Sequence, residues 1–249
     1  MCTFVLVHGA WQSSGTWDLV VPLLKEHGEN VITPTLSGLG NDQNHLSNDT
    51  TLQQHIRDVS DVISNLREQA ILVGHSYAGM IISGVAETNR KQIQRLVFMD
   101  ALIPDDGQSV LDLLPAATAA YFRDVARNQG EGWRLPCGEG HLDLWGLKPG
   151  KAREFVRSRL CDFSLCCFEE PISLPLDYKR SMPATFIAAA AEDYPARPFF
   201  KPFADKARTL GWDVTDVDTG HDCHVERPTE VAQILLSCMA SDRRIGSSP

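Results

Sequence analysis

Residues 70–79 read Ala70-Ile71-Leu72-Val73-Gly74-His75-Ser76-Tyr77-Ala78-Gly79. Four apolar residues without alternation predict a strand buried on both faces. The small and apolar residues that follow, to about Glu87, predict a helix. The turn between them has room for little beside its serine. Only small neighbours such as Gly74 and Ala78 avoid clashes on so sharp a strand-to-helix bend. The bend lifts the Ser76 hydroxyl above the sheet. It also leaves the Tyr77 N–H at a helix N-terminus, facing the space where a carbonyl oxygen would sit. A plain strand-to-helix turn uses the same residue types. The Gly-x-Ser-x-Ala pattern gains weight only from the strand before it and the helix after it.

The same rhythm extends both ways. Residues 4–7, 30–33, 93–99, 184–190 and 212–217 predict further strands, and residues 16–27, 51–66, 198–210 and 229–240 predict helices. Leu52, Ile56, Val59 and Val62-Ile63 recur at spacings of three or four, with Asp49 or Thr50 as the expected cap. Strands alternating with helices predict an α/β fold with a mostly parallel sheet covered by helices. Between Pro104 and Pro183 the rhythm breaks into irregular helical sequence carrying Trp133, Trp145, Phe155, Phe163 and Phe168. We read 104–183 as a helical cap inserted between late strands, 1–103 and 184–249 as the core, and 241–249 as a flexible polar tail.

With 249 residues and 43% hydrophobic composition, the chain is long enough for one sizeable core without a staple. The net charge of −9 argues against nucleic acid and anionic membranes as partners. No apolar run approaches the roughly 18–20 residues of a membrane span. The start lacks a basic region and a cleavage motif, so no signal peptide is expected. Seven irregularly spaced cysteines, without Cys-x-x-Cys, fit free thiols in a reducing cytoplasm. No metal and no cofactor are expected, and the oligomeric state is not legible.

Two more segments carry chemistry. His8-Gly9-Ala10-Trp11 follows the first strand, and a glycine there lets backbone approach a ligand closely. The Ala10 N–H is then a second oxyanion donor beside that of Tyr77, and His8 is read as structural. Gly220-His221-Asp222-Cys223-His224 follows the last strand. A serine hydroxyl is a poor nucleophile until an imidazole takes its proton. His221, with its preceding glycine, is preferred over His224 as that base. Cys223 near His221 is a weaker nucleophile candidate than Ser76. The other histidines, His27, His45, His55, His75 and His141, are read as solvated or structural.

At these places the sequence resembles the α/β-hydrolase superfamily. It looks closest to the branch of plant methylesterases, hydroxynitrile lyases and bacterial pyrethroid-type carboxylesterases. The resemblance implies an acyl-enzyme mechanism, a Ser-His-acid triad and two backbone oxyanion donors. Two aspartates compete for the acid. Asp100 ends the strand after the serine's. Asp193 follows the later strand, where family members usually carry the acid, but its segment is one residue longer than usual and Glu192 competes. We favour Asp100, with Asp193 as the alternative. Gly9 and Asp222 stand where the lyases carry Thr and Lys, which disfavours lyase activity. Serine at position 76 disfavours the epoxide hydrolases and dehalogenases, which attack with aspartate. The expected function is a serine esterase for a small to medium hydrophobic ester. The alternatives are a lactone hydrolase with the same triad and a non-catalytic receptor or carrier on the same fold.

Overall fold

The structure, a computed structural model, describes residues 2–176 and 178–243. Strand β1 (Thr3–Val7) leads through a 3₁₀ turn (Ser14–Trp17) and α1 (Val21–Glu26) to β2 (Asn30–Ile32). The helix expected over 16–27 is therefore shorter. Pro22 sits in its first turn, where a missing N–H costs nothing, and fixes the start there. Helix α2 (Leu52–Ser64) buries Leu52, Ile56, Val59 and Ile63. Its cap is Thr51, whose side chain accepts from the Gln54 N–H at 3.4 Å, and not Asp49 or Thr50. Strand β3 (Ala70–His75), α3 (Ala78–Thr88) and β4 (Ile93–Met99) follow.

Between β4 and the next sheet strand run α4 (Val110–Leu113), α5 (Ala116–Gln129), β5 (Arg134–Leu135), α6 (Glu139–Leu144), α7 (Lys151–Arg157), β6 (Phe163–Ser164) and α8 (Cys166–Glu169). The antiparallel pair β5–β6 was not expected in a helical segment. At two residues each, these strands are too short to show a period of two in the sequence. The chain closes with β7 (Ala184–Ala189), α9 (Arg197–Thr209), β8 (Asp213–Val217), α10 (Cys223–Glu226) and α11 (Pro228–Arg243). Residues 241–243 belong to the last helix, and the rest of the expected tail, 244–249, lies outside the described residues.

The sheet order is β2-β1-β3-β4-β7-β8, with every pairing parallel. Side-chain alternation splits each strand between two apolar layers. Phe4 and Leu6 of β1 pack with Trp17, Leu24, Val231 and Leu235. Val5 and Val7 face the other way, toward Ile56, Val59 and Ile82. Helix α3 is buried at every residue from Ala78 to Ala86. That explains its lack of a polar face, since it is covered on all sides. The chain runs outward from β1 to β2 and then back across to β3. Such a reversal opens a crevice at the carboxyl ends of β1 and β3, where His8-Gly9-Ala10 and Ser76 lie. No helix among the described residues is long and apolar enough to cross a membrane.

Candidate active site

Ser76 sits on the bend between β3 and α3 with φ of +58°. An L-residue in that region stores strain of about 1–3 kcal/mol, held here by the surrounding packing. The Ser76 N–H donates to the Met99 carbonyl at 3.1 Å, and its own carbonyl accepts from Gly79 and Leu102. The side chain makes no hydrogen bond among the described residues and faces a cavity of about 370 Å³. Ala10, Tyr77 and His221 line the same cavity.

Gly9 is needed at this point. A Cβ there would lie 3.0 Å from Ser76 Cβ and 3.2 Å from His75 Nδ1. The missing side chain brings the β1 loop against the serine turn, and the next residue, Ala10, lines the cavity. Neither the Ala10 nor the Tyr77 N–H has a hydrogen-bond partner among the described residues. Two unused donors beside one hydroxyl are the groups that holding a developing oxyanion requires. His8 serves the loop itself. Its Nδ1–H donates to the Gly9 carbonyl at 2.9 Å, and its Nε2 accepts from the Leu36 N–H at 3.2 Å. Burial lowers its pKa to about 4, so it stays neutral.

His221 is held from both sides through its backbone. Its N–H donates to the Trp145 carbonyl at 2.9 Å, and its carbonyl accepts from His75 Nε2 at 3.0 Å. Its ring Nδ1 lies 2.6 Å from Asp100 Oδ2. Both side chains are 2% exposed. Asp100 leaves β4 with φ of +42°, a region that Asp tolerates better than most residues. Its Oδ1 accepts from the Ala189 N–H at 3.4 Å. Asp193, in contrast, lies at the surface and pairs with Lys148 at 2.6 Å, while Glu192 is exposed. The structure therefore brings Ser76, His221 and Asp100 to one place and leaves Asp193 outside it. The turn after β7 sends both its acids outward and its tyrosine inward. Burial pushes Asp100 up to about 8, against the pull of Tyr194 and Ala189, and lowers His221 to about 3. Such a close pair titrates as one unit, and burial opposes charge on either member.

The cavity walls are apolar. Trp11, Phe122, Trp145, Phe168, Phe199 and Phe200 contribute, and among the described residues no Asp, Glu, Lys or Arg lines it. Of the insertion aromatics singled out in the sequence, Trp145 and Phe168 reach the cavity. Phe163 packs beneath them, in contact with Trp11 and Tyr77. Phe199 and Phe200 come from α9 instead. Their adjacency gave no signal, because two neighbouring aromatics read equally well as helix core.

A second buried group escaped the sequence reading. His75, Asp222 and His224 are wholly buried, and their ligating atoms lie within 4.8 Å of one another. Gln12 Nε2 donates to Asp222 Oδ1 at 2.6 Å, tying the β1 loop to the His221 loop. His75 Nδ1, Asp222 Oδ2 and both ring nitrogens of His224 have no hydrogen-bond partner among the described residues. The spacing of 75, 222 and 224 resembles no ligand motif, so only the fold brings them together. An unpaired buried polar group costs about 1–3 kcal/mol. His224 packs tilted against Trp17 with ring centroids 4.5 Å apart, where the thioether of a methionine would also pack. His224→Met is therefore expected to raise the melting temperature by about 2–6 °C in a thermal scan. A fall instead, with wild type stabilised by added Zn²⁺, would place an ion among the three side chains.

A model of the alpha/beta hydrolase family matches residues 4–234, nearly the whole sheet and everything that carries the site. The chain belongs to this family. Among relatives, the hydrolase is 34% identical over 247 residues to a carbendazim hydrolyzing esterase of Nocardioides sp. (strain SG-4G), covering 95% of this chain and 99% of that one. It is also 34% identical over 169 residues to a pyrethroid hydrolase of Sphingobium wenxiniae, covering 62% of this chain and 60% of that one. Among solved structures, the hydrolase superposes with a TM-score of 0.83 and 26% identity on an extracellular alpha/beta-hydrolase from a Paenibacillus species. The match covers 96% of this chain and 99% of that one. That protein is described as sharing structural and functional homology with tobacco salicylic acid binding protein 2.

Proposed function

We propose that this carboxylic ester hydrolase works through an acyl-enzyme on Ser76. Ser76 Oγ attacks the ester carbonyl carbon while His221 Nε2 takes the hydroxyl proton. The carbonyl oxygen becomes an alkoxide held by the Ala10 and Tyr77 N–H groups. Losing one such donor typically costs about 10²–10³ in rate. The tetrahedral species collapses, and the leaving alcohol carries off the proton from His221. Water, deprotonated by the same imidazole, then releases the acid and restores the serine. Asp100 holds the Nδ1–H tautomer, so the Nε2 lone pair faces Ser76.

One observation carries this reading. An unbonded serine hydroxyl, two unused backbone donors and an imidazole anchored on a buried carboxylate converge at one cavity. The uncharged aromatic walls support a neutral, hydrophobic ester as substrate, because a free carboxylate would lose its water there without gaining a partner. The names of the relatives, with carbendazim and pyrethroids as substrates, point the same way. A cytoplasmic location is proposed on the buried thiols of Cys161, Cys167 and Cys223, which carry no disulfide.

A fluorophosphonate probe is expected to give a single adduct that peptide mass spectrometry maps to Ser76. p-Nitrophenyl acetate should show a burst of product equal to the active sites. No adduct and no turnover would favour a receptor or carrier. A panel of open-chain esters against lactones then ranks the ester preference.

A further inference from the structure

Where the loop after β7 turns back over the site, one buried side chain touches both partners of the acid–base pair. The Tyr194 hydroxyl donates to Asp100 Oδ2 at 2.9 Å and lies 3.0 Å from His221 Nδ1. Three polar atoms thus close a small ring, since Asp100 Oδ2 and His221 Nδ1 are themselves 2.6 Å apart. Tyr194 is 2% exposed and does not line the cavity. Its ring lies nearly parallel to that of His221, with centroids 6.1 Å apart.

Asp100 is short of donors. Apart from the imidazole, only the Tyr194 O–H and the long contact from the Ala189 N–H reach its oxygens among the described residues. No lysine or arginine pairs with it among the described residues, unlike Asp193, which Lys148 neutralises at the surface. A wholly buried carboxylate without a cationic partner tends to take up a proton. A protonated Asp100 would donate to Nδ1 and turn the imidazole to the wrong tautomer, with its Nε2–H facing Ser76.

We propose that Tyr194 is a positioning residue that keeps Asp100 ionised and so holds His221 in the tautomer that accepts the Ser76 proton. The assignment rests on the serine-triad reading above. It goes beyond that reading by naming a fourth member that touches neither substrate nor nucleophile. The hydroxyl acts on one side of the proton balance only. It stabilises the carboxylate, and it also competes with Nδ1–H for Oδ2, which moderates the basicity of the imidazole. Removing it favours proton uptake by the pair, whether the proton resides on Asp100 or on His221.

The test is the pH profile of kcat/KM for Tyr194→Phe against wild type, with a p-nitrophenyl ester. Phe keeps the ring packing and removes the O–H. The acid limb is expected to move up by about one pH unit. At neutral pH kcat should fall about tenfold with KM nearly unchanged. His75, Asp222, Cys223 and His224 also face this pair, from the end of β3 and from the start of α10. They are common to both proteins, so the difference between profiles isolates the hydroxyl. An acid limb that stays in place would overturn the proposal and leave Tyr194 as packing. Asp100→Asn separates the two levels. If that variant is inactive while Tyr194→Phe keeps its limb, only the Tyr194 assignment fails. If Asp100→Asn is fully active, the triad reading fails and takes Tyr194 with it.

Discussion

Asp100→Asn is expected to lower kcat by about 10³–10⁴ with little change in KM, whereas Asp193→Asn keeps wild-type activity. The asymmetry follows from where the two carboxylates sit. Asp100 Oδ2 is 2.6 Å from His221 Nδ1, and both groups are out of water. Asn is nearly the same shape, so the fold should survive. Its amide removes the charge that stabilises the imidazolium formed during attack. If its NH₂ turns toward Nδ1, it also enforces the unproductive tautomer. Asp193 lies 2.6 Å from Lys148, with both side chains more than half exposed. Solvent screens an exposed pair of that kind, which contributes little to stability and nothing to the site. Steady-state kinetics of both variants, with circular dichroism to show equal folding, decides the matter. Equal activity in the two would remove Asp100 from the mechanism.

Gly79→Ala is expected to yield little or no folded protein. A Cβ at Gly79 would lie 2.1 Å from the Leu102 carbonyl oxygen and 2.8 Å from the Leu102 nitrogen. Both are backbone atoms of the segment that leaves β4 just after Asp100. That segment is fixed by the bond from the Leu102 N–H to the Ser76 carbonyl. Relief requires moving either α3 off the sheet or the Asp100 loop off the site. Backbone displacement in a packed interior belongs with the largest mutational losses, above about 4 kcal/mol. Gly84→Ala is the internal control. It sits in the same helix, but its new methyl would meet the side chain of Ile56, with Cδ1 at 2.5 Å. That atom is the far end of a flexible side chain, and overpacking of this sort costs about 1–3 kcal/mol. Denaturant unfolding of the two variants should therefore separate them. A Gly79→Ala protein as stable as Gly84→Ala would mean that the Leu102 segment yields easily.

Much of the arrangement was legible in the linear sequence because short-range physics writes it there. The apolar run 70–73, the small residues around Ser76 and the buried sequence of α3 each reflect constraints within one turn or one strand. Gly9 differs, because its missing Cβ answers to Ser76 and His75 on the neighbouring strand, and only its place just after a strand signals it in the sequence. The apolar spacing of residues 16–27 masks the start of α1, which Pro22 fixes. Thr50 and Thr51 are chemically alike, so only the folded backbone distinguishes Thr51 as the cap of α2.

A serine on a strand-to-helix bend, ahead of a histidine after the last strand and within a parallel α/β sheet, is written in the order of the residues. That Asp100 and not Asp193 meets that histidine, that Tyr194 joins them, and that Phe199 and Phe200 help to wall the cavity emerge once the chain is folded. The difference lies in range. Strand and turn preferences act between neighbours in the chain. Which carboxylate reaches an imidazole depends on the left-handed backbone at Asp100, the lateral order of β4 and β7, and which residue of a surface turn faces inward.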